Sequence, residues 1–233
     1  MDLTTGSFWF ALGSIILTNI LLSGDNAVVI ALASRTLPKA QQKVAMIWGS
    51  VAAIVILVCF TYLAVTLLKI QFIKMFGAAL LIYVGVKLMS EGDDEPDTDS
   101  QASLWAAIKT ILIANLVMSL DNVIAVAAAA QKAPENARLF LLCLGLGVSV
   151  PVIIFGSAVL IKLMERFPAI IVMGAGLLGM LAGDMFIEEP FIHNFLQSNF
   201  GEVEEFFQVA GVVIVIGLGL FLKKKNQKKL EQA

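Results

Sequence analysis

Histidine occurs once in this 233-residue sequence, at His193, and cysteine twice, at Cys59 and Cys143. A single histidine argues against the multi-histidine centres of di-metal oxidases. Two cysteines with no CxxC spacing exclude a disulfide framework and a thiol redox motif. Their position in apolar stretches predicts buried free thiols. Basic residues are not in excess: 16 Lys and Arg stand against 18 Asp and Glu, for a net charge of −2, so no basic patch is available for nucleic acid. The opening Met1-Asp2-Leu3-Thr4-Thr5 lacks the basic n-region of a secretory signal. The first apolar segment is also too long for a signal h-region, which predicts a retained transmembrane helix.

What the chain has is apolar length. Hydrophobic residues make up 59% of it, and the mean hydropathy is +0.90, more than a soluble domain uses. A bilayer-spanning helix needs about 20 apolar residues. Seven segments qualify, over 8–33, 44–67, 71–90, 104–130, 138–162, 168–187 and 207–222, the last being short. The expectation is an all-α integral membrane protein. With the N-terminus outside, 12 of the 16 Lys and Arg residues face the cytoplasm, five of them in the C-terminal tail. This predicts an N-out, C-in multi-pass membrane protein. Segment 91–103, with six carboxylates between Glu91 and Asp99, reads as an acidic cytoplasmic linker. Segment 188–206 reads as an acidic external cap with a short amphipathic helix, and 223–233 as a basic cytoplasmic tail.

One phrase occurs twice. Asn19-x3-Ser23-x-Asp25-Asn26 returns 96 residues later as Asn115-x3-Ser119-x-Asp121-Asn122. The same offset maps Ala31 onto Ala127, Ala33 onto Ala129, Pro38 onto Pro134 and Gly49 onto Gly145. Helices one to three (8–90) therefore repeat as helices four to six (104–187), followed by a seventh. Because three is odd, the second copy enters the membrane from the opposite side. This is the inverted-repeat plan of secondary transporters, which places a site near the midplane.

A carboxylate at bilayer depth costs roughly 2.5–3.5 kcal/mol on insertion scales, so two in matched settings point to a paired site. The motifs offer two carboxylates, four carboxamides and two hydroxyls, with no imidazole or thiolate. Oxygen-only sets suit Mg²⁺, Ca²⁺ and Mn²⁺. Two carboxylates about 5 Å apart repel by roughly 3 kcal/mol at an effective dielectric near 20, so the empty site is expected to hold a proton that a metal displaces. That implies cation/proton antiport. Asn19, Ser23, Asn115 and Ser119 are further candidate ligands, or interhelical glue. Asp184 can join the site, relay protons or sit near the outer interface. Lys87 either snorkels to the cytoplasmic interface or pairs with an empty-site aspartate. On a regular helix Asp25 points about 100° away from Asn26. A distortion near Gly24 would bring both together, and Leu120 in the second copy makes any such break asymmetric.

The phrases Ser23-Gly24-Asp25-Asn26-Ala27 and Ser119-Leu120-Asp121-Asn122, on helices one and four of seven, resemble the TerC family within the lysine-exporter-like superfamily. The resemblance covers about 8–222 and implies export of Mn²⁺, with Asp25, Asn26, Asp121 and Asn122 matching the family's acidic motif. Mn²⁺ is then cargo, and no permanent cofactor is expected. Expected partners are a divalent metal ion and membrane lipid, not nucleic acid; a homo-oligomer is left open. The residues alone equally admit export of Ca²⁺, Mg²⁺ or a small solute, and a non-transport assembly or stress-resistance factor. An enzyme is not expected. An aspartyl-protease-like use of Asp25 and Asp121 would leave the matched asparagines without a role.

Overall fold

The computed structural model describes residues 6–67, 70–90, 100–131, 138–199 and 203–230. The acidic linker at 91–99 lies outside the described residues. The described residues are helical almost throughout: α1 (Gly6–Leu22), α2 (Gly24–Ser34), α3 (Lys39–Leu67), α4 (Ile73–Ser90), α5 (Ser100–Gln131), α6 (Arg138–Arg166), α7 (Ala169–Ile187), α8 (Pro190–Asn199) and α9 (Glu204–Leu230). Six of these are long and apolar enough to cross a membrane alone. The α1–α2 pair passes together, bent by 46° at Ser23, which makes up to seven spans. In hydrocarbon the backbone has no water to bond, so helices close their own hydrogen bonds.

Several helices outrun their apolar segments. Helix α5 starts at Ser100, four residues before the predicted span, and α9 reaches Leu230, taking the lysines at 223–228 into the helix. Twenty-seven residues rise about 40 Å, more than the hydrocarbon thickness of about 30 Å, so α9 is longer than a span requires. Amphipathic α8 lies in the predicted cap segment. The cysteines correct an expectation: Cys59 and Cys143 are exposed on the outer faces of α3 and α6. In a membrane protein the apolar surroundings of such a residue are lipid as readily as core. Trp48, Tyr62, Phe155 and Val213 also face outward.

Packing is cross-wise between the two halves of the chain. Helices α1 and α2 pack on α6, α3 packs on α5, and α4 packs on α7. Two of these contacts repeat residue for residue. A Cβ on Gly49 of α3 would lie 2.8 Å from Ile111 of α5, and a Cβ on Gly145 of α6 would lie 2.6 Å from Ile15 of α1. Gly49 and Gly145 are 96 residues apart, as are Ile15 and Ile111, and both isoleucines are fully buried. The i−4 hydroxyl bonds also recur, from Thr61 to the Leu57 carbonyl (2.7 Å) and from Ser157 to the Ile153 carbonyl (2.8 Å). Helix α9 sits against α7 and α4. At the α7–α9 contact the backbones touch. A methyl on Gly179 would strike the Gly211 carbonyl oxygen, and one on Gly183 the Phe207 carbonyl oxygen. Close approach through glycine is the usual means of helix association in lipid, where apolar burial supplies no drive.

Gly179→Ala and Gly183→Ala should each push α7 from α9 and cost about 1–3 kcal/mol. Gly217→Ala, with nothing within 4 Å of its Cβ, should stay within about 0.5 kcal/mol. Thermal unfolding of purified protein in detergent separates the two classes.

Candidate cation site

The first motif lies where α1 ends and α2 begins. Ser23 occupies the joint, with φ −101° and ψ 1°, and its hydroxyl donates to the Asn19 carbonyl. In a continuous helix the Asn26 amide would reach the Leu22 carbonyl. Here it donates instead to Asp25 Oδ1 at 2.6 Å. The Leu22 carbonyl so released accepts from Asn122 Nδ2, on α5, at 3.5 Å. The two motifs therefore meet at the break. Asp25 lies half-buried in the first turn of α2, where the helix dipole favours an anion. Ser157 of α6 donates to the Ala27 carbonyl at 3.1 Å and holds α2 from the other side.

The second motif lies on unbroken α5, so the asymmetry expected from Leu120 is present. The hinge is not a glycine effect, however. Gly24 is the first residue of α2 and does not use the left-handed backbone. The break is held by side chains that take over the displaced backbone groups. Asn26 and Asn122 are buried, as are Asn19, Ser23, Asn115 and Ser119. Asp121 precedes Asn122 on α5, and its side chain lies outside the described residues.

Levels follow from the contacts. Asn122 is level with Leu22, while Arg35 Nη1 donates to the Leu88 carbonyl at 3.0 Å and Lys87 Nζ to Thr110 Oγ1 at 3.1 Å. As α1 and α2 run from Leu22 to Arg35, α5 thus runs from Asn122 back to Thr110, and the two are antiparallel. At 1.5 Å per residue, Asp25 and Asp121 fall on levels about 3 Å apart. Asn19 and Asn115 fall beyond that layer on opposite sides, each by about 6 Å.

The remaining candidates sit further out. Lys87 bonds Thr110, about 16 Å of helix rise from Asp121 and toward the α2–α3 end. Asp184 Oδ1 accepts from Gln208 Nε2 of α9 at 2.7 Å. With Glu188, His193, Glu204 and Glu205 it lines a cavity of about 1020 Å³ at the other end of the bundle. Its neighbour Met185, rather than Asp184 itself, meets Gly77 of α4 beside Val117 of α5. Among the described residues no three His, Cys, Asp or Glu side chains gather as a metal cluster. The two bonds at the break involve the Asp25 carboxylate, the Asn122 carboxamide and the Leu22 main-chain carbonyl, oxygen types that a hard cation takes. The Leu22 carbonyl was not visible in the sequence, because a main-chain ligand has no residue signature. Gln208 was visible only as a lone polar residue entering the last span.

The Integral membrane protein TerC family matches residues 4–228. The chain belongs to the TerC family. Its relatives include "Uncharacterized membrane protein YjbE" of Bacillus subtilis (strain 168), 40% identical over 206 residues, covering 88% of this chain and 92% of that one. "UPF0053 inner membrane protein YgdQ" of Escherichia coli (strain K12) is 24% identical over 242 residues, covering 96% and 97%. "Uncharacterized membrane protein YceF" of Bacillus subtilis (strain 168) is 29% identical over 140 residues, covering 56% and 54%. No solved structure matches the chain. This TerC chain is thus an integral multi-pass membrane protein with bacterial inner-membrane homologues.

Asn122→Leu should leave the Leu22 carbonyl without its donor and cost about 1 kcal/mol. Gly24→Ala, with open space at its Cβ, should fold and function as the parent does. Thermal unfolding of the two purified variants beside the parent checks both.

Proposed function

We propose that this TerC chain is a secondary transporter that exports a hard divalent cation, Mn²⁺ foremost, from the cytoplasm. The observation that carries the reading is the bond from Asn122 to the Leu22 carbonyl, which joins the second motif to the helix break inside the first. It joins the Asn122 amide to a carbonyl freed at the break, three residues before Asp25, and Asp121 falls at nearly the same level as Asp25. Asp25, Asn26, Asp121 and Asn122 hold the ion, with Ser23 and Ser119 as supporting oxygens, while Asn19 and Asn115, each about 6 Å beyond that layer, stand outside the ligand set. Carboxylate, carboxamide and carbonyl ligands replace the waters that the ion sheds.

The cross-wise packing supports two inverted repeats, α1–α4 and α5–α7, with α9 outside both. Ile15 against Gly145 and Ile111 against Gly49 are one contact made twice. Alternating access is then a rocking of one repeat against the other about the shared site. Proton entry is the proposed counter-movement, with the carboxylates taking up a proton as the ion leaves. The bias of the basic residues supports an orientation with the N-terminus outside and the C-terminus in the cytoplasm. Apart from proton exchange on the carboxylates this chemistry makes no covalent change, and Mn²⁺ is cargo, not cofactor.

Cells carrying Asp25→Ala or Asp121→Ala should accumulate Mn and lose growth under Mn²⁺ stress, while the parent protein protects. Equal protection by the variants would refute the site. In proteoliposomes, Mn²⁺ flux should be accompanied by opposite proton movement and slow as the pH on the loading side falls. Flux indifferent to pH removes the antiport.

A further inference from the structure

Buried oxygens without partners collect on one side of the site. Among the described residues, Asn115 Oδ1, Ser50 Oγ, Ser34 Oγ and Gln41 Oε1 are buried and have no hydrogen-bond partner. Asn115 is 1% exposed, and Ser50 and Ser34 are 0%. An unpaired buried polar atom costs about 1–3 kcal/mol, so a run of them calls for something to bind. All four belong to α2, α3 and α5, each of which packs on the other two.

Their order along the bundle is fixed by bonds already described. Asn115 lies beyond Asp25 by about 6 Å toward the α2–α3 turn. Its Nδ2 donates to the Gly49 carbonyl at 3.5 Å, which orients Oδ1 as the free acceptor. Ser50 is the next residue on α3. Ser34 ends α2, about 14 Å of helix rise past Asp25, and Gln41 lies in the first turn of α3 beside the same turn. The oxygens thus step from the Asp–Asn level to one end of the bundle.

The other repeat lacks this series. The residues 96 positions after Ser34 and Ser50 are Ala130 and Leu146, both buried and apolar. The Gly145 carbonyl, which corresponds to that of Gly49, accepts from Ser149 Oγ at 3.2 Å, where the first repeat has Ala53. Asn19 is left with its Nδ2 buried and, among the described residues, unpartnered. Among the described residues, the α2–α3–α5 junction carries a string of free oxygens that its repeat-related positions 130 and 146 do not.

We infer that Asn115, Ser50 and Ser34 line a half-pathway at this junction, along which a hard divalent cation passes between the Asp–Asn site and the α2–α3 end of the bundle. The inference rests on the proposed transport function and adds its route. Each oxygen substitutes for one water of a partly dehydrated ion, and being neutral it releases the ion onward to the charged site.

Two measurements test it. With purified protein in proteoliposomes, Asn115→Ala and the double variant Ser34→Ala with Ser50→Ala should each slow Mn²⁺ flux at least fivefold. Their equilibrium Mn²⁺ affinity should change less than twofold, whereas Asp25→Ala loses binding itself. Flux within twofold of the parent would mean that the oxygens hold structural water only, and the pathway falls. Loss of affinity in step with flux would place Asn115 in the central site and equally overturn a separate route. In a Cys59→Ser, Cys143→Ser background, Ser50→Cys and Ser34→Cys are near-isosteric and keep the test alive if the alanine variants do not fold. Both should react with a membrane-impermeant thiol reagent from one face only. Labelling from neither face, or from both, overturns the route. Labelling from one face in a protein that neither binds nor moves Mn²⁺ upholds the route and sinks the proposed cargo.

Discussion

A helix inside a membrane cannot be interrupted without replacing the hydrogen bonds it loses, because no water is there to take them. The site depends on that constraint at Ser23. Breaking α1 from α2 strands the Asn26 amide and the Leu22 carbonyl. The first is taken by Asp25 and the second by Asn122 from the other half of the chain. The same polar side chains that make the break tolerable are those that a cation would use. The bend is stabilised by the side chains of Asp25 and Asn122, one from each copy of the motif.

Around that point the two halves interlock instead of lying side by side. Each half's first helix packs on the other half's second, through an isoleucine seated over a glycine. Small residues let the helices approach until side-chain packing and close carbonyl contacts hold them, as lipid requires. Helix α9 follows the same rule more strictly, since Gly179, Gly183 and Gly211 leave no room even for a methyl.

Much of this was legible in the sequence. Hydropathy marked the spans, and the doubled phrase marked the residues that meet. The glycine-for-leucine difference between Gly24 and Leu120 pointed to an asymmetry in any break, without showing that there was one. What escaped was of three physical kinds. Helix ends at α5 and α9 ran past the apolar stretch because polar residues continue a helix readily in water, so hydropathy does not mark its end. Cys59 and Cys143 turned outward because apolar composition does not distinguish lipid-facing from core-facing positions. The Leu22 carbonyl was hidden because backbone atoms carry no residue signature. The cause of the bend was also misplaced: glycine suggested flexibility, whereas Asp25 and Asn122 supply partners.

The bend also makes α2 a short lever. Eleven residues span about 16 Å, so straightening a 46° bend would carry the far end through about 13 Å. That far end is not loose. Arg35 grips the carbonyls of Leu32 and Leu88 at once, one on its own helix and one on α4. Any swing of the arm must therefore drag α4 or break that grip, and α4 is itself pressed on α7. A displacement begun by a single ion at Leu22 would reach both halves of the protein through one guanidinium.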